Sequence, residues 1–529
     1  MAWGCAASGP PAQDLIAKCV SSTSLVILPF RKFGDDECIA LCAALHGNQI
    51  LTELSASGHK VGDAGLRALG RLLGNECCVL QRLAIGDASL GGTGLRSICD
   101  GIGVDKKCQL HHLDLGFKGI GEHKGDDPEL MRLVCCCPEL QNLELGRNPL
   151  GSKGVLALVG DGIWSANLDR LGLSECELDD EALDAMAHAA VNGGLPALRS
   201  LELAKNRGIG RSGSDALGRL IQHIPALTKL DVQHCDLGAC SANALAPAIA
   251  THAALQELQL SGNPSLFGVL PISAASSTER EATQLYPPAS FIQSSLPSRM
   301  AYEASLQLSD EERCTLELRT RLRQRIATAN SDGPGRQSLR QLKLDCGGSA
   351  SYVLMNARML MIALQTAPKL HILKLASCNL FDDLAIALTS DSRPGAAFTE
   401  LDVRSNRLGM VGAAALMGID GIVRLSLFDN PLLGSSVADG AALGAALHAT
   451  ASMLEHLDLG ACALDSPAHL RAIAAALSHG AATSLRCIEV FGNGADAGDE
   501  WMQALSELRA SRPGLDVAWK EKPSNTESS

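Results

Sequence analysis

Two clusters of cysteines come closest, by residue type and spacing, to a site that could do chemistry. Cys135, Cys136 and Cys137 are consecutive, and Cys77 and Cys78 are adjacent. Grouped thiols can be oxidised or can bind a soft metal ion, whereas a buried cysteine acts as a small hydrophobic residue. None of the 19 cysteines has the Cys-x-x-Cys spacing of common zinc and redox motifs. The sequence therefore favours structural thiols in both clusters.

A second group of potential ligands consists of Cys108, His111 and His112. Neighbouring residues of a strand point to opposite faces, so the two imidazoles are not expected to meet at one ion. The sequence has no Gly-x-x-x-x-Gly-Lys-(Ser/Thr) phosphate loop, no His-Glu-x-x-His motif and no Gly-x-Ser-x-Gly motif. We therefore predict a protein that is not an enzyme, with no catalytic residues, no cofactor, no bound metal and no small-molecule substrate.

The charge balance argues against two further classes of partner. The chain of 529 residues has 45 Lys and Arg against 58 Asp and Glu, a formal net charge of −13. Binders of nucleic acid or of anionic membranes need a basic face, so neither partner is expected. No apolar stretch reaches the roughly 18 residues of a membrane helix, and the first residues lack a secretion-signal pattern. These features predict a cytoplasmic protein with reduced thiols.

A repeated frame accounts for most of the sequence. Residues from Leu140 read LQNLELGRNPL and those from Leu168 read LDRLGLSECEL, which share Leu-x-x-Leu-x-Leu-x-x-(Asn/Cys)-x-Leu. The alternating leucines predict a short strand, and the stretch after the turn has helical spacing, as in Leu183 and Met186. One strand and one helix cannot bury their own apolar face, so successive copies must stack. The frame begins fourteen times, at Leu51, Leu80, Leu110, Leu140, Leu168, Leu198, Leu227, Leu255, Leu339, Leu370, Phe398, Ile422, Leu454 and Leu485.

This unit resembles the leucine-rich repeat, and its length and full helix are similar to the ribonuclease-inhibitor-like subtype. The turn residues support the resemblance because Asn and Cys alternate there: Asn148, Cys176, Asn206, Cys235 and Asn263. Later copies have Cys378, Asn406, Asn430, Cys462 and Asn493, whereas early copies depart with His59, Ala88 and Lys118. The resemblance implies an α/β solenoid, a curved horseshoe with parallel strands on its concave face and helices on its convex face.

Five segments follow from the positions of the copies. They are an N-terminal cap with a degenerate copy (1–50), repeats 1–8 (51–267), a Ser/Pro-rich insertion (268–338), repeats 9–14 with a C-terminal cap (339–519) and a polar tail (520–529). The insertion contains a capping box at Ser309 that predicts an amphipathic helix to about Ala329. Arginines crowd the second half of this helix. They either form a basic docking surface or complement the helix dipole.

The residue between the last two leucines of each frame is predicted to lie on the concave face. Seven of the fourteen are acidic and two are basic: Ser55, Ala84, Asp114, Glu144, Gly172, Glu202, Asp231, Gln259, Lys343, Lys374, Asp402, Ser426, Asp458 and Glu489. This pattern predicts an acidic surface that favours a basic protein partner. The alternative is local neutralisation by the cross-strand neighbours Arg82, Arg170, Lys229 and Arg424.

A second column of that face, two residues further on, changes character along the chain. It begins with small residues: Ser57, Gly86, Gly116, Gly146, Ser174 and Ala204. It ends with Arg404, Phe428, Gly460 and Phe491, which predict an apolar cleft between two rings over a glycine. With the flanking acids, the predicted protein-binding residues are Asp402, Arg404, Phe428, Asp429, Asp458, Glu489 and Phe491.

Three functions are compatible with these patterns. The leading hypothesis is a non-enzymatic scaffold that binds a protein partner on the acidic concave face. The concave aromatics on which the ribonuclease-inhibitor family relies are nearly missing, so inhibition of ribonuclease is not what we expect. One alternative is GTPase activation, because Ran GTPase-activating proteins resemble this repeat subtype. The other is a structural subunit of a ciliary or cytoskeletal assembly, with cytoskeletal association inside the cytoplasm.

Overall fold

The computed structural model describes residues 13–19, 21–104, 106–122, 126–159, 167–210, 215–268, 350–389, 398–450, 453–494 and 498–519. The described residues within 13–209 and 223–232 form a first unit, and those within 210–222 and 233–519 form a second unit. The predicted amphipathic helix of the insertion and the polar tail lie outside the described residues.

The strands of the first unit pair in parallel and in chain order. They are β1 (Ser24–Val26), β2 (Glu53–Ser57), β3 (Arg82–Gly86), β4 (His112–Asp114), β5 (Asn142–Glu144), β6 (Arg170–Gly172), β7 (Ser200–Glu202) and β8 (Lys229–Asp231). Equivalent positions of the repeat face each other, for example Leu113 and Leu143. Residues at the same position of the repeated frame are therefore paired in the sheet, as the sequence predicts.

A helix follows each of the strands β1 to β6 in this unit. The helices are α1 (Gln13–Cys19), α2 (Asp35–Leu45), α3 (Asp63–Leu73), α4 (Gly91–Ile102), α5 (Asp126–Cys135), α6 (Gly151–Val159) and α7 (Asp180–Val191). In α7, Asp179 caps the first turn, and the residues predicted to face the core, Leu183 and Met186, are fully buried. Strands and helices thus form the two layers of an α/β repeat architecture, as the sequence predicts.

The turn asparagines connect neighbouring repeats through their side-chain amides. Asn148 Oδ1 accepts from the backbone N–H groups of Lys118 (2.9 Å) and Ile120 (3.1 Å). Its Nδ2 donates to the carbonyls of Leu115 (2.8 Å) and Leu145 (2.7 Å). Four buried backbone groups from two successive copies are satisfied by one side chain, which explains why this position is Asn.

Cysteine at the same position connects repeats through its thiol. Cys176 Sγ donates to the carbonyl of Leu145 in the preceding copy (3.2 Å), and Cys462 Sγ does the same to Leu427 (3.1 Å). Burial raises the pKa of Cys176 and of Cys462 to about 12, so both are thiols at neutral pH. These cysteines are structural, as predicted for this position.

The early copies use different residues at the turn. His59 is buried and its Nε2 lies 3.1 Å from the Ile27 carbonyl oxygen. Lys118 is also buried, and its Nζ donates to Ser57 Oγ at 2.7 Å. This hydrogen bond joins the third copy to the first and passes over the second copy, whose turn residue is Ala88. Burial lowers the pKa of Lys118. A long side chain therefore takes over the connection that alanine cannot make.

The second unit continues the same alternation. Its strands are β9 (Glu257–Gln259), β10 (Ile372–Lys374), β11 (Glu400–Asp402), β12 (Arg424–Ser426), β13 (His456–Asp458), β14 (Cys487–Glu489) and β15 (Asp516–Ala518), again parallel and in order. Its helices are α8 (Asp215–His223, whose last residue belongs to the first unit), α9 (Ala239–Thr251), α10 (Ala350–Thr366), α11 (Asp382–Thr389), α12 (Met410–Met417), α13 (Val437–Ala449), α14 (Pro467–Ser478) and α15 (Asp499–Ala510).

The insertion interrupts one repeat between its strand and its helix. β9 pairs directly with β10, with Leu258 facing Leu373, so no strand of the copy predicted from Leu339 lies between them. That placement of the copy was wrong, and residues 339–349 lie outside the described residues. Helix α10 packs against α9 and α11 and thereby takes the place of the helix of the β9 repeat. A Cβ atom on Gly268 would lie 2.4 Å from Val353 Cγ1, so the two sides of the interruption are close together.

The C-terminal end of the second unit is closed by an extra strand and a buried tryptophan. β15 pairs with β14 within the segment predicted to hold the C-terminal cap. Trp501 is buried, donates from Nε1 to the Leu464 carbonyl at 3.1 Å and contacts the ring of Trp519.

The expectation of reduced thiols fails at one position of this unit, because Cys240 is disulfide-bonded.

Candidate functional site

The predicted binding residues of the second unit come together on four neighbouring strands. We call Asp402, Arg404, Phe428, Asp429, Asp458, Glu489 and Phe491 the C-terminal patch. Backbone hydrogen bonds join the positions just after β11 to β14, from Ser405 N–H to the Phe428 carbonyl (2.8 Å) and from Asp429 N–H to the Gly460 carbonyl (2.8 Å). A third runs from Ala461 N–H to the Phe491 carbonyl (2.6 Å). Arg404, Phe428, Gly460 and Phe491 are therefore side by side, in the predicted order.

The space above Gly460 is occupied by the ring of Phe428. A Cβ atom on Gly460 would lie 2.5 Å from Phe428 Cδ2 and 2.8 Å from Cε2, so only glycine accommodates the ring here. The open cleft expected between two rings is therefore filled from one side. Phe428 and Phe491 are each half-buried, and they do not form one of the ring pairs among the described residues. The result is a partly exposed apolar surface in which the Phe428 ring is supported by the Gly460 backbone.

An ion pair borders this apolar surface on the β11 side. Arg404 Nε and one terminal nitrogen both donate to the carboxylate of Asp402, the shortest contact being 2.6 Å. Asp402 is buried, whereas 55% of the Arg404 side chain is exposed. The hydrogen bond with Asp402 raises the pKa of Arg404. Asp402 thus fixes the stem of the arginine and leaves its cation accessible, as expected for a bidentate pair.

The remaining acids of the patch are held by neighbouring side chains and by backbone. Asp458 Oδ2 accepts from Ser426 Oγ at 2.8 Å, and its Oδ1 accepts from the Gly460 N–H at 3.0 Å. Asp429 is exposed and has a left-handed backbone (φ 56°). Asp458 therefore has a defined position beside the rings, whereas the Asp429 side chain is accessible to solvent.

A group that sequence reasoning missed lies next to Glu489. His456 on β13 and Cys487 on β14 face each other across the strands, and His456 Nε2 is 2.8 Å from Glu489 Oε1. Burial raises the pKa of Cys487, and the carboxylate of Asp516 adds to that rise. The signal was present in the column one residue before the central apolar residue of each strand (Leu457 and Ile488), where His456 and Cys487 occupy successive copies.

The first unit continues the column of carboxylates but has small residues, such as Gly116 and Gly146, where the second unit has its rings. We call Asp114, Glu144, Glu202 and Asp231 the acidic column. Burial raises the pKa of Glu144, and the carboxylates of Glu202 and Asp114 raise it further, against a hydrogen bond from the Gly146 N–H (2.8 Å). Arg170 lies 3.7 Å from Glu202. The expected neutralisation by cross-strand cations is thus present at this pair, while like charges still crowd Glu144.

The cysteine clusters of the first unit are partly buried and paired. Cys137 and Cys108 are buried with their sulfurs 3.0 Å apart, and Cys78 is buried beside an exposed Cys77. A hydrogen bond from Cys99 lowers the pKa of Cys136. Cys108 therefore contacts another thiol and not the neighbouring histidines.

In the parts of the chain that are described, no helix is long and apolar enough to cross a membrane.

Comparisons with known proteins identify the repeat. A family model described as "Leucine Rich repeat" matches residues 398–417. The chain is 29% identical over 199 residues to mouse "NACHT, LRR and PYD domains-containing protein 5", which covers 32% of this chain and 17% of that protein. It is 27% identical over 232 residues to pig ribonuclease inhibitor, covering 43% of each protein. The chain thus spans less than half the length of these relatives.

Among solved structures, the chain is similar to the leucine-rich repeat-containing protein LegL7 from Legionella pneumophila. The match has 13% identity and a TM-score of 0.36, and it covers 79% of this chain and 96% of that one.

Proposed function

We propose that this chain, which is a leucine-rich repeat protein of the ribonuclease-inhibitor-like type, is a non-enzymatic scaffold that binds a protein partner through the C-terminal patch. The relatives favour a binding role in general terms, since one of them is named for the inhibition of another protein. The arrangement of Phe428 on Gly460 between Arg404 and Phe491 carries the more specific proposal.

The apolar part of the patch suits the anchor residue of a partner. Aromatic and arginine side chains surrounded by polar groups are the usual composition of binding hot spots. Phe428 is supported from below by the Gly460 backbone, so it loses little side-chain freedom when a partner covers it. A partner is therefore expected to place an aliphatic or aromatic residue against the Phe428 and Phe491 rings.

The charged part of the patch determines which residues of the partner can lie around its anchor residue. Asp429, Asp458 and Glu489 present carboxylates beside the rings, while the charge of Asp402 is neutralised by Arg404. Complementary charge contributes mostly to association rate and specificity. We therefore propose a partner with a basic surface around its anchor and no nucleic-acid partner, because phosphates are repelled by these carboxylates. A cytoplasmic location goes with this proposal.

Affinity purification of the tagged full-length chain, with mass spectrometry under reducing conditions, tests the proposal. The double variant Phe428→Ala/Phe491→Ala should lose the partner that the unmodified chain retains. Phe117→Ala is the matched control, because Phe117 is an exposed phenylalanine of the first unit outside the patch. A set of partners that is the same for all three proteins would contradict the proposal. Retention should also weaken as salt is raised.

A further inference from the structure

The side chains of His456, Cys487 and Glu489 form a compact group of three different donor types. The Nε2 atom, the Sγ atom and a carboxylate oxygen all lie within 4.8 Å of one another, and all three residues are half-buried. Among the described residues, this is the one group of three such donors that meets this distance. We propose that these three residues bind a zinc ion.

The spacing of the donors suits tetrahedral zinc. Typical Zn–N, Zn–O and Zn–S bonds of about 2.0–2.3 Å place neighbouring ligand atoms roughly 3.3–3.6 Å apart in a tetrahedron. The distance between Nε2 and Oε1, 2.8 Å, is shorter than this range. The distances from Sγ to the other two atoms are at most 4.8 Å, a limit that is longer than this range. The three separations therefore differ from tetrahedral ones by no more than about 1.2 Å, a change within the reach of side-chain rotation.

The sheet fixes the positions from which these side chains extend. His456 faces Cys487 and Asp458 faces Glu489 in the parallel ladder between β13 and β14. Cys487 and Glu489 are two residues apart on one strand and thus point to the same face. Leu457 and Ile488, between these positions, are fully buried and anchor both strands. The donors are therefore held by rigid elements, which favours a defined metal site.

The donor chemistry favours zinc over calcium or magnesium. Thiolate and imidazole are ligands for zinc, whereas the hard cations prefer oxygen alone. When Zn²⁺ binds, the Cys487 S–H bond breaks, a Zn–S bond forms and the proton passes to the buffer. The proton that Nε2 carries in its contact with Glu489 is released to the buffer, and His456 binds through the Nε2 lone pair as the neutral imidazole with its proton on Nδ1. Nε2 and Oε1 then coordinate the ion, which takes the place of their mutual contact.

The surrounding charge is suited to a cation. The carboxylates of Asp458 and Asp516 lie near Cys487, in addition to that of Glu489. Arg424, the neighbour of His456 on β12, is exposed and is the cation on the opposite side. Arg404 also interacts with Asp458 but is paired with Asp402, so the three carboxylates outnumber the unpaired cation and leave the site negative. Three protein ligands also leave a fourth position open to water, as in zinc sites that are not purely structural.

The test uses the full-length chain, stripped of metal with a chelator and kept reduced, and titrated with Zn²⁺ alone. We expect His456→Ala and Cys487→Ala each to weaken binding at one site at least about ten-fold, since even substitutions outside the ligand shell cost 10–100-fold. Co²⁺ should give a thiolate-to-metal charge-transfer band that Cys487→Ala abolishes. His112→Ala is the matched control, because His112 has the equivalent position on β4.

A measurement on the unmodified chain covers the case in which a variant misfolds. Bound Zn²⁺ should protect Cys487 from alkylation, as read by peptide mass spectrometry, while the exposed thiol of Cys77 reacts at an unchanged rate. Equal alkylation of Cys487 with and without Zn²⁺ would overturn the proposal. So would variants that bind Zn²⁺ as the unmodified chain does. Both outcomes are independent of whether the C-terminal patch binds a protein.

Discussion

The acidic column of the first unit and the acids Asp402, Asp458 and Glu489 of the C-terminal patch occupy the same strand positions, but the two regions differ in how their charges are arranged. In the acidic column, Glu144 is crowded by the carboxylates of Glu202 and Asp114, and burial and this crowding raise its pKa. In the patch, Asp402 forms an ion pair with Arg404, and the Glu489 carboxylate contacts His456 Nε2 at 2.8 Å. One repeat architecture can therefore carry either a repulsive stripe or carboxylates with polar partners around an apolar surface.

This difference separates two kinds of recognition. Crowded carboxylates act at a distance, are screened by salt and attract any basic surface. Fixed pairs around the two rings act at contact and select a partner by shape. The comparison predicts that changes in the acidic column alter stability and association, while changes in the patch alter affinity with little effect on folding.

The largest expected effect is the same in both regions, because the core beneath them is the same. Leu143→Ala in the first unit and Leu457→Ala in the second should each lower the free energy of unfolding by about 2–5 kcal/mol through a cavity. Both leucines are buried. Glu202→Ala is the control and should cost under about 0.5 kcal/mol. Denaturant unfolding in which Glu202→Ala is the more damaging change would show that the strand register is wrong.

A smaller effect of opposite sign is expected at Glu144. Its pKa is raised in the folded chain, so the charged form at neutral pH costs stability that the protonated form does not. Glu144→Gln keeps an acceptor for the Gly146 N–H and should raise stability at pH 7 by less than about 1 kcal/mol, after allowance for solvent screening.

The advantage of Glu144→Gln should disappear well below the ordinary pKa of glutamate, where the native side chain is neutral as well. Thermal unfolding at neutral and acidic pH measures this dependence. A glutamine variant that is less stable than the native chain at pH 7 would mean that the nearby Arg170 outweighs the surrounding carboxylates.

The smallest effect is expected from the insertion. Gly268 lies close to Val353 at the start of α10, so a short Gly/Ser linker can replace residues 269–349 without stretching the chain. With the disulfide of Cys240 reduced in both proteins, such a variant should retain one cooperative unfolding transition with nearly the same midpoint in thermal unfolding. Loss of cooperativity would show that part of the replaced segment completes the core, as the copy predicted from Leu339 would require.

Periodicity explains what could be predicted from the sequence. Buried leucines recur at fixed spacing, so the strands, the helix of each copy and the order of Arg404, Phe428, Gly460 and Phe491 follow from the register. Periodicity does not show which copies pair, because the frame at Leu339 matches the others although β9 and β10 pair directly. Nor does it show side-chain contacts across strands, which is why the group at His456 was missed.

Binding measurements with the partner recovered by affinity purification test the central claim most directly. Phe428→Ala and Phe491→Ala should each weaken binding by about 1–3 kcal/mol, while their melting temperatures stay close to that of the native chain. Phe117→Ala should bind as the native chain does. Native affinity in both patch variants, or melting several degrees lower in both, would contradict the account and would show that the two rings serve packing alone.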